Sequence, residues 1–153
     1  MVRVLFVCHG NICRSPMAEF VLKDMVQKRG LAGDFFIGSA ATSLEEIGSA
    51  PHPGTQRKLR AQGVPAGEHR AVRLTMADYD RYDYLLGMDG RNVQNMRRIL
   101  GGDPQGKVRR LLDFTPRPRD IADPWYTGDF DRTYLDIVEG CEAFLRHCGQ
   151  EQA

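Results

Sequence analysis

From Cys8 the chain reads Cys-His-Gly-Asn-Ile-Cys-Arg-Ser, a thiol followed after five residues by an arginine and a serine. The nucleophilic form of cysteine is the thiolate, and backbone N–H groups converging on a helix start stabilise it. The same converging amides grip an oxyanion. Arg14 adds a planar fork that can hold two phosphate oxygens at once, which the point charge of lysine cannot do. Cys8 is therefore read as a nucleophile toward phosphorus, with His9, Gly10, Asn11, Ile12, Cys13 and Ser15 around the phosphoryl group. Gly10 is expected at positive φ, letting the backbone approach its ligand, and Asn11 tolerates the left-handed region better than most residues. The bland alternative for Cys8 is a buried thiol at a strand end.

The surrounding elements favour the chemical reading. Val4-Leu5-Phe6-Val7 runs as a strand directly into Cys8, and Ser15-Pro16 reads as the N-cap and first-turn proline of a helix. Ala18, Val21, Leu22, Met25 and Val26 then recur at helical spacing up to Gly30, and Phe35-Phe36-Ile37 reads as the second strand. Pro53 opens a helix ending near Gly63. Tyr82 to Leu86 is expected as a third strand, Gly90 to Leu100 as a helix and Val108 to Leu112 as a fourth strand. The last helix carries Tyr134, Ile137, Val138, Cys141, Phe144, Leu145 and Cys148 at three-and-four spacing. Strands alternating with helices imply an α/β fold: a four-stranded parallel sheet covered on both faces, three-layer α/β/α and Rossmann-like, with ligands beyond the carboxyl ends of the strands. Cys8 stands at such an end.

At 153 residues and 42% hydrophobic composition, residues 1–153 fit one domain with a full core. A net charge of +1 gives no field that would single out nucleic acid or a membrane as partner. The opening apolar run is too short for a signal peptide, and no segment approaches the ~20 apolar residues of a spanning helix. A cytoplasmic location is expected, with the four cysteines reduced, reactive or buried rather than a disulfide framework. No cluster has the spacing of metal ligands, and no cofactor is expected.

The motif Cys8, Gly10, Asn11, Cys13, Arg14, Ser15, Pro16 resembles the N-terminal signature of the low-molecular-weight protein tyrosine phosphatases. The resemblance continues through Ser39-Ala40-Ala41-Thr42, where the family usually has glycine in place of Ala41, then His69-Arg70-Ala71, Met88-Asp89 and Asp123-Pro124. It implies the phosphotyrosine phosphatase I-like fold and hydrolysis of phosphotyrosine and small aryl phosphates through a cysteinyl phosphate. Partners would be phosphotyrosine proteins, with inorganic phosphate as product, and the enzyme a monomer with at most weak self-association.

Aryl ester cleavage also needs a proton for the leaving oxygen. Asp123 lies in the long Pro-rich stretch from Asp113 to Asp129, and Pro124 restricts it to extended backbone. By itself Asp123-Pro124 reads as a plain turn; the resemblance makes Asp123 the general acid, then the base for the hydrolytic water, with Asp120 and Asp129 as neighbouring decoys. The resemblance also gives Ser15 the task of donating to the Cys8 thiolate, Asn11 that of pinning the loop and His69 that of holding both. Trp125 and Tyr126 would form an aromatic wall selecting a flat phenyl ring, their alternative being loop packing.

On the opposite rim, where the family often has an aromatic residue, stand Leu44-Glu45-Glu46, so Glu45 is expected to meet substrate with an acidic face. Cys13, on the loop of Cys8, is a candidate resolving thiol for reversible oxidation. Cys141 and Cys148 are ~10.5 Å apart along a helix, beyond disulfide reach, and read as core. Two other functions remain open: an arsenate reductase, which would need a relay of further cysteines, and a non-catalytic phosphotyrosine-binding module, against which Cys8, Arg14 and Asp123 together argue.

Overall fold

The computed structural model describes residues 1–152, with side chains to residue 149. β1 (Val2–Cys8) lies between β2 (Phe35–Ala41) and β3 (Tyr84–Gly87), and β4 (Val108–Arg110) flanks β3, giving the order β2-β1-β3-β4. All pairings are parallel, with Cys8 opposite Ala41 and Val7 opposite Gly87. The chain steps outward from β1 to β2, then returns to the other side of β1 for β3. Cys8 thus ends the strand at which the winding reverses, where crevices open in such sheets.

The apolar run before Cys8 is continuous because both faces of β1 are covered. Val4, Phe6 and Cys8 point to one core, shared with α1 (Arg14–Lys28) and α6 (Phe130–Gln152) through Met17, Val21, Ile137 and Phe144. Leu5 and Val7 point to the other, shared with α3 (Ala77–Arg81) and α4 (Gly90–Leu100) through Tyr79, Val93 and Met96. α2 (Pro53–Ala61) packs on α1 and α6. Among the described residues no helix is long and apolar enough to cross a membrane.

Several boundaries depart from the sequence expectation. The first helix begins at Arg14, with Cys13 at its cap and no side-chain cap bond, so Ser15 is not the N-cap. Its hydroxyl is used elsewhere. β2 runs on to Ala41, paired with β1 as far as Cys8. The third strand starts at Tyr84, because Tyr82 closes the short helix α3, which has too few residues to show a period. The fourth strand stops at Arg110: the Asp113 carboxylate accepts from the Arg110 N–H at 2.9 Å and Leu111–Phe114 coils into a 3₁₀ turn. That turn lies directly beneath α6, where a Cβ on Gly140 would sit 2.5 Å from Leu111.

Candidate active site

Cys8 closes β1 and Arg14 opens α1, so the intervening loop is anchored at both ends by core elements. α2 holds it from the side: the His52 N–H donates to Ile12 O at 2.8 Å and the Thr55 hydroxyl to Cys13 O at 3.1 Å. Among the described residues Asn11 is the one non-glycine at positive φ, 57°. Gly10 is not at positive φ, and a Cβ there would meet only ordinary contacts at 3.6 Å from Glu46 and Ile12. The left-handed turn thus falls on Asn11, whose side chain can hold it, rather than on the glycine beside it.

That side chain is fully committed. Its Nδ2 donates to Ser15 Oγ at 2.8 Å and to Ser39 Oγ at 2.9 Å, and its Oδ1 accepts from the Val72 N–H at 3.1 Å. His69 Nε2 donates to the Asn11 carbonyl at 3.2 Å. Ser15 Oγ, which accepts from Asn11, also shares a hydrogen bond with Cys8 Sγ, 3.0 Å away, and the Ser15 N–H approaches the same sulfur at 3.4 Å. Ser39 in turn donates to Glu19, a buried carboxylate 3.8 Å from His69 Nδ1.

Arg14 is 2% exposed. Its Nη1 donates to Asp89 Oδ2 at 2.7 Å and to Ile121 O at 2.8 Å, and its Nη2 reaches Asp123 Oδ2 only at 3.4 Å. Among the described residues, its buried Nε has no hydrogen-bond partner. One edge of the guanidinium is therefore locked to the protein, and the Nε–Nη2 edge is left for a ligand. Burial works against the Arg14 charge, but Cys8, Asp89 and Asp123 outweigh it and raise its pKa above the ordinary arginine value. Asp89 earns its position from α4, where its Oδ1 caps the helix by accepting from the Asn92 N–H at 2.7 Å.

Asp123 is extended, as the following proline requires, and Pro124 opens a single turn, α5 (Pro124–Thr127). Its Oδ1 accepts from the Trp125 N–H at 3.0 Å, which leaves Oδ2 facing Arg14. Asp120 is turned away, bound to the Gly90 N–H and to Arg110, and Asp129 caps the start of α6 through the Arg132 N–H. Neither lines the cavity above Cys8, whereas Asp123, Trp125 and Tyr126 do, across from His9, Glu45 and Glu46. Glu45 pairs with His9 Nε2 at 3.2 Å, and Glu46 accepts from the Ser49 hydroxyl at 3.0 Å.

Cys13 also borders the cavity, but burial first, then the charges of Cys8 and Asp123, push its thiol up to about 12, against an opposing pull from Arg14. It is a thiol at neutral pH. Cys141 and Cys148 are buried in the α1–α6 core, far from any role at the mouth, and burial raises the Cys141 pKa. Among the described residues no group of three His, Cys, Asp or Glu side chains could hold a metal. Sequence reasoning did not give Asp89, Ser39 or Glu19 a place in the site. Asp89 and Ser39 lay in quoted motifs, and Glu19 carried only the faint signal of a carboxylate on an otherwise apolar helix face.

A family model described as low molecular weight phosphotyrosine protein phosphatase matches residues 3–153. The Bacillus subtilis low molecular weight protein-tyrosine-phosphatase YfkJ is 39% identical over 154 residues, 99% of either chain. Its crystal structure superposes with a TM-score of 0.96, covering 100% of this chain and 98% of that one. The human low molecular weight phosphotyrosine protein phosphatase is 37% identical over 147 residues, 93% of this chain and 92% of its own. The structure of a Drosophila arginine phosphatase, DARP, is 36% identical with a TM-score of 0.84, covering 94% of this chain and 96% of that one. With these matches running through nearly its whole length, the chain belongs to the low molecular weight protein tyrosine phosphatases, enzymes that hydrolyse phosphotyrosine through a cysteinyl phosphate.

Proposed function

We propose that Cys8 is the nucleophile of this phosphatase, Arg14 the phosphate clamp and Asp123 the acid and then the base. The Cys8 thiolate attacks phosphorus, the P–O bond to the phenol breaks, and Asp123 gives its proton to the departing oxygen. Asp123 then takes a proton from water, whose oxygen attacks phosphorus; the S–P bond breaks, and inorganic phosphate and thiolate are regenerated. The amides from His9 to Cys13, with Ser15 at the sulfur, hold the phosphoryl oxygens, while Asn11 and His69 keep the loop in shape. Trp125 and Tyr126 flank the substrate ring, Glu45 meets what lies beside it, and Cys13 serves as the thiol that captures an oxidised Cys8.

The observation that carries this reading is the free edge of Arg14. A buried guanidinium with Nη1 satisfied twice and Nε unpaired among the described residues is a preset fork for two oxygens of a tetrahedral anion. An arriving phosphate takes that edge, and Asp123, held to it at only 3.4 Å, is released to face the leaving oxygen. The substrates are phosphotyrosine proteins, handled by residues 1–153 as one domain without a cofactor, as a monomer, in the cytoplasm, where Cys8 stays reduced. The aromatic wall favours an aryl ester over the phosphoarginine that the name of the Drosophila neighbour implies for that protein. Rapid acid quench with radiolabelled aryl phosphate should trap a protein-bound phosphoryl group in the wild type and none in Cys8→Ser, which still binds phosphate. Turnover by Cys8→Ser near the wild-type rate would refute the covalent route.

A further inference from the structure

His52 touches the phosphate loop, the start of α2 and the aromatic wall, yet has no task in the chemistry. Its N–H holds Ile12 O at 2.8 Å, and its ring Nδ1 accepts from the Gly54 N–H at 2.9 Å, capping α2. That bond places the proton of the neutral ring on Nε2. One face of the ring stacks on Phe130 at the start of α6, with centroids 5.2 Å apart and planes at 25°. Trp125 meets the same imidazole edge-on, at 5.7 Å and 81°.

Phe130 is a rigid backing. A Cβ on Gly54 would lie 2.4 Å from its ring, and it packs against Ile12, Cys13 and Ala71. Trp125 is the opposite case, 57% exposed on a single helical turn, so whatever fixes its indole sets the shape of that wall. A cap alone does not need imidazole, since the short side chains of Asp, Asn and Ser serve better at that position. What histidine adds is a ring between an immobile phenyl and an exposed indole.

We propose that His52 is a positioning residue for substrate recognition: wedged between Phe130 and Trp125, it sets the indole against which the phosphotyrosine ring lies. The proposal rests on the reading of this cavity as the phosphotyrosine site. His52→Asn keeps a capping acceptor and removes the ring. With a phosphotyrosine peptide its KM should rise about two- to tenfold, the size of one aromatic contact. Its kcat, and the inhibition constant of inorganic phosphate, should stay within about twofold of wild type, because the loop beneath is untouched.

Trp125 is the only tryptophan of the chain, so its emission reports the wall directly. In His52→Asn the emission should shift to the red and its anisotropy fall. His52→Phe, which restores a ring without the cap, should recover KM and anisotropy while lowering Tm by a few degrees. His52→Asp, a second ringless cap, carries the same expectation as His52→Asn should the latter not fold. Unchanged KM and unchanged Trp125 anisotropy in the ringless variants would overturn the proposal, as would a phosphate inhibition constant rising in step with KM. A wild-type protein that fails on the peptide would instead strike the phosphatase reading, and Trp125 anisotropy would still decide the part of His52.

Discussion

The floor of the cavity and its rim are built on opposite principles. On the floor, Asn11, Arg14 and Ser15 are 0%, 2% and 0% exposed, and their polar atoms are committed to named partners except for the one guanidinium edge turned to the ligand. On the rim, Trp125 and Tyr126 are 57% and 83% exposed, and the side chains of His9 and Glu45 are 47% and 72% exposed. Electrostatic interactions removed from water are strong and tolerate little misplacement, while those in water are weak and forgiving. The floor should therefore govern whether phosphate is cleaved, and the rim by how much one substrate is preferred over another.

The largest effect should come from breaking the floor without changing its charge. Arg14→Lys keeps the cation but loses the Nε–Nη2 edge and cannot serve Asp89, Ile121 O and two phosphate oxygens together. We expect kcat/KM on an aryl phosphate to fall by about 10³-fold, the scale for losing a preorganised donor to developing charge. A loss under about tenfold would mean that charge alone suffices and that the fork is not what the floor supplies.

Asp123 belongs to both regions, with its carboxylate over the floor and its backbone on the rim. Asp123→Asn should slow phosphotyrosine by about 10²-fold, the lower range of general acid catalysis, and an aryl phosphate with an acidic phenol far less, since that leaving group needs no proton. Equal losses on both substrates would confine Asp123 to capping α5. A smaller effect is expected at Cys13, whose thiol burial keeps protonated at neutral pH. Cys13→Ser should retain most activity and, at neutral pH, the same alkylation rate at Cys8, yet recover poorly after peroxide followed by reductant. Recovery equal to wild type would remove Cys13 from redox protection.

The same division decides what the sequence disclosed. The floor was legible because its key residues are contiguous: a two-sided apolar run, a loop and a helix start lie within Val2–Lys28. α4 was legible to the residue because its ends are marked locally, by the Asp89–Asn92 cap and by Gly101 at φ 77°. What escaped comes from far along the chain. Ser39 reaches Asn11 across 28 positions and Asp89 reaches Arg14 across 75, and no local pattern announces either. Positive φ was expected at Gly10 on intrinsic preference and falls on Asn11, where three side-chain hydrogen bonds outweigh it. His52, on a Pro-flanked turn, gave no hint of the ring packing that the folded chain imposes.

The rim should yield the smallest effect, and Glu45 and Glu46 do not share it equally. Glu46 is tied to Ser49 and lies along Gly10, whereas the Glu45 side chain is 72% exposed and its carboxylate pairs with His9. A preference for phosphotyrosine peptides with Lys or Arg flanks over acidic flanks should therefore rest mainly on Glu45. It should amount to a few-fold at most, because exposed pairs contribute ~0–1 kcal/mol, and should shrink as salt screens it. His9 Nε2, 3.2 Å from the Glu45 carboxylate, takes part of its hydrogen-bonding capacity, which keeps the preference small. Measuring kcat/KM on the matched peptides at two salt concentrations tests both expectations. Glu45→Gln should erase the preference and Glu46→Gln should leave most of it. A preference unchanged in Glu45→Gln would return this rim to the status of solvated loop and leave selection to the aromatic wall.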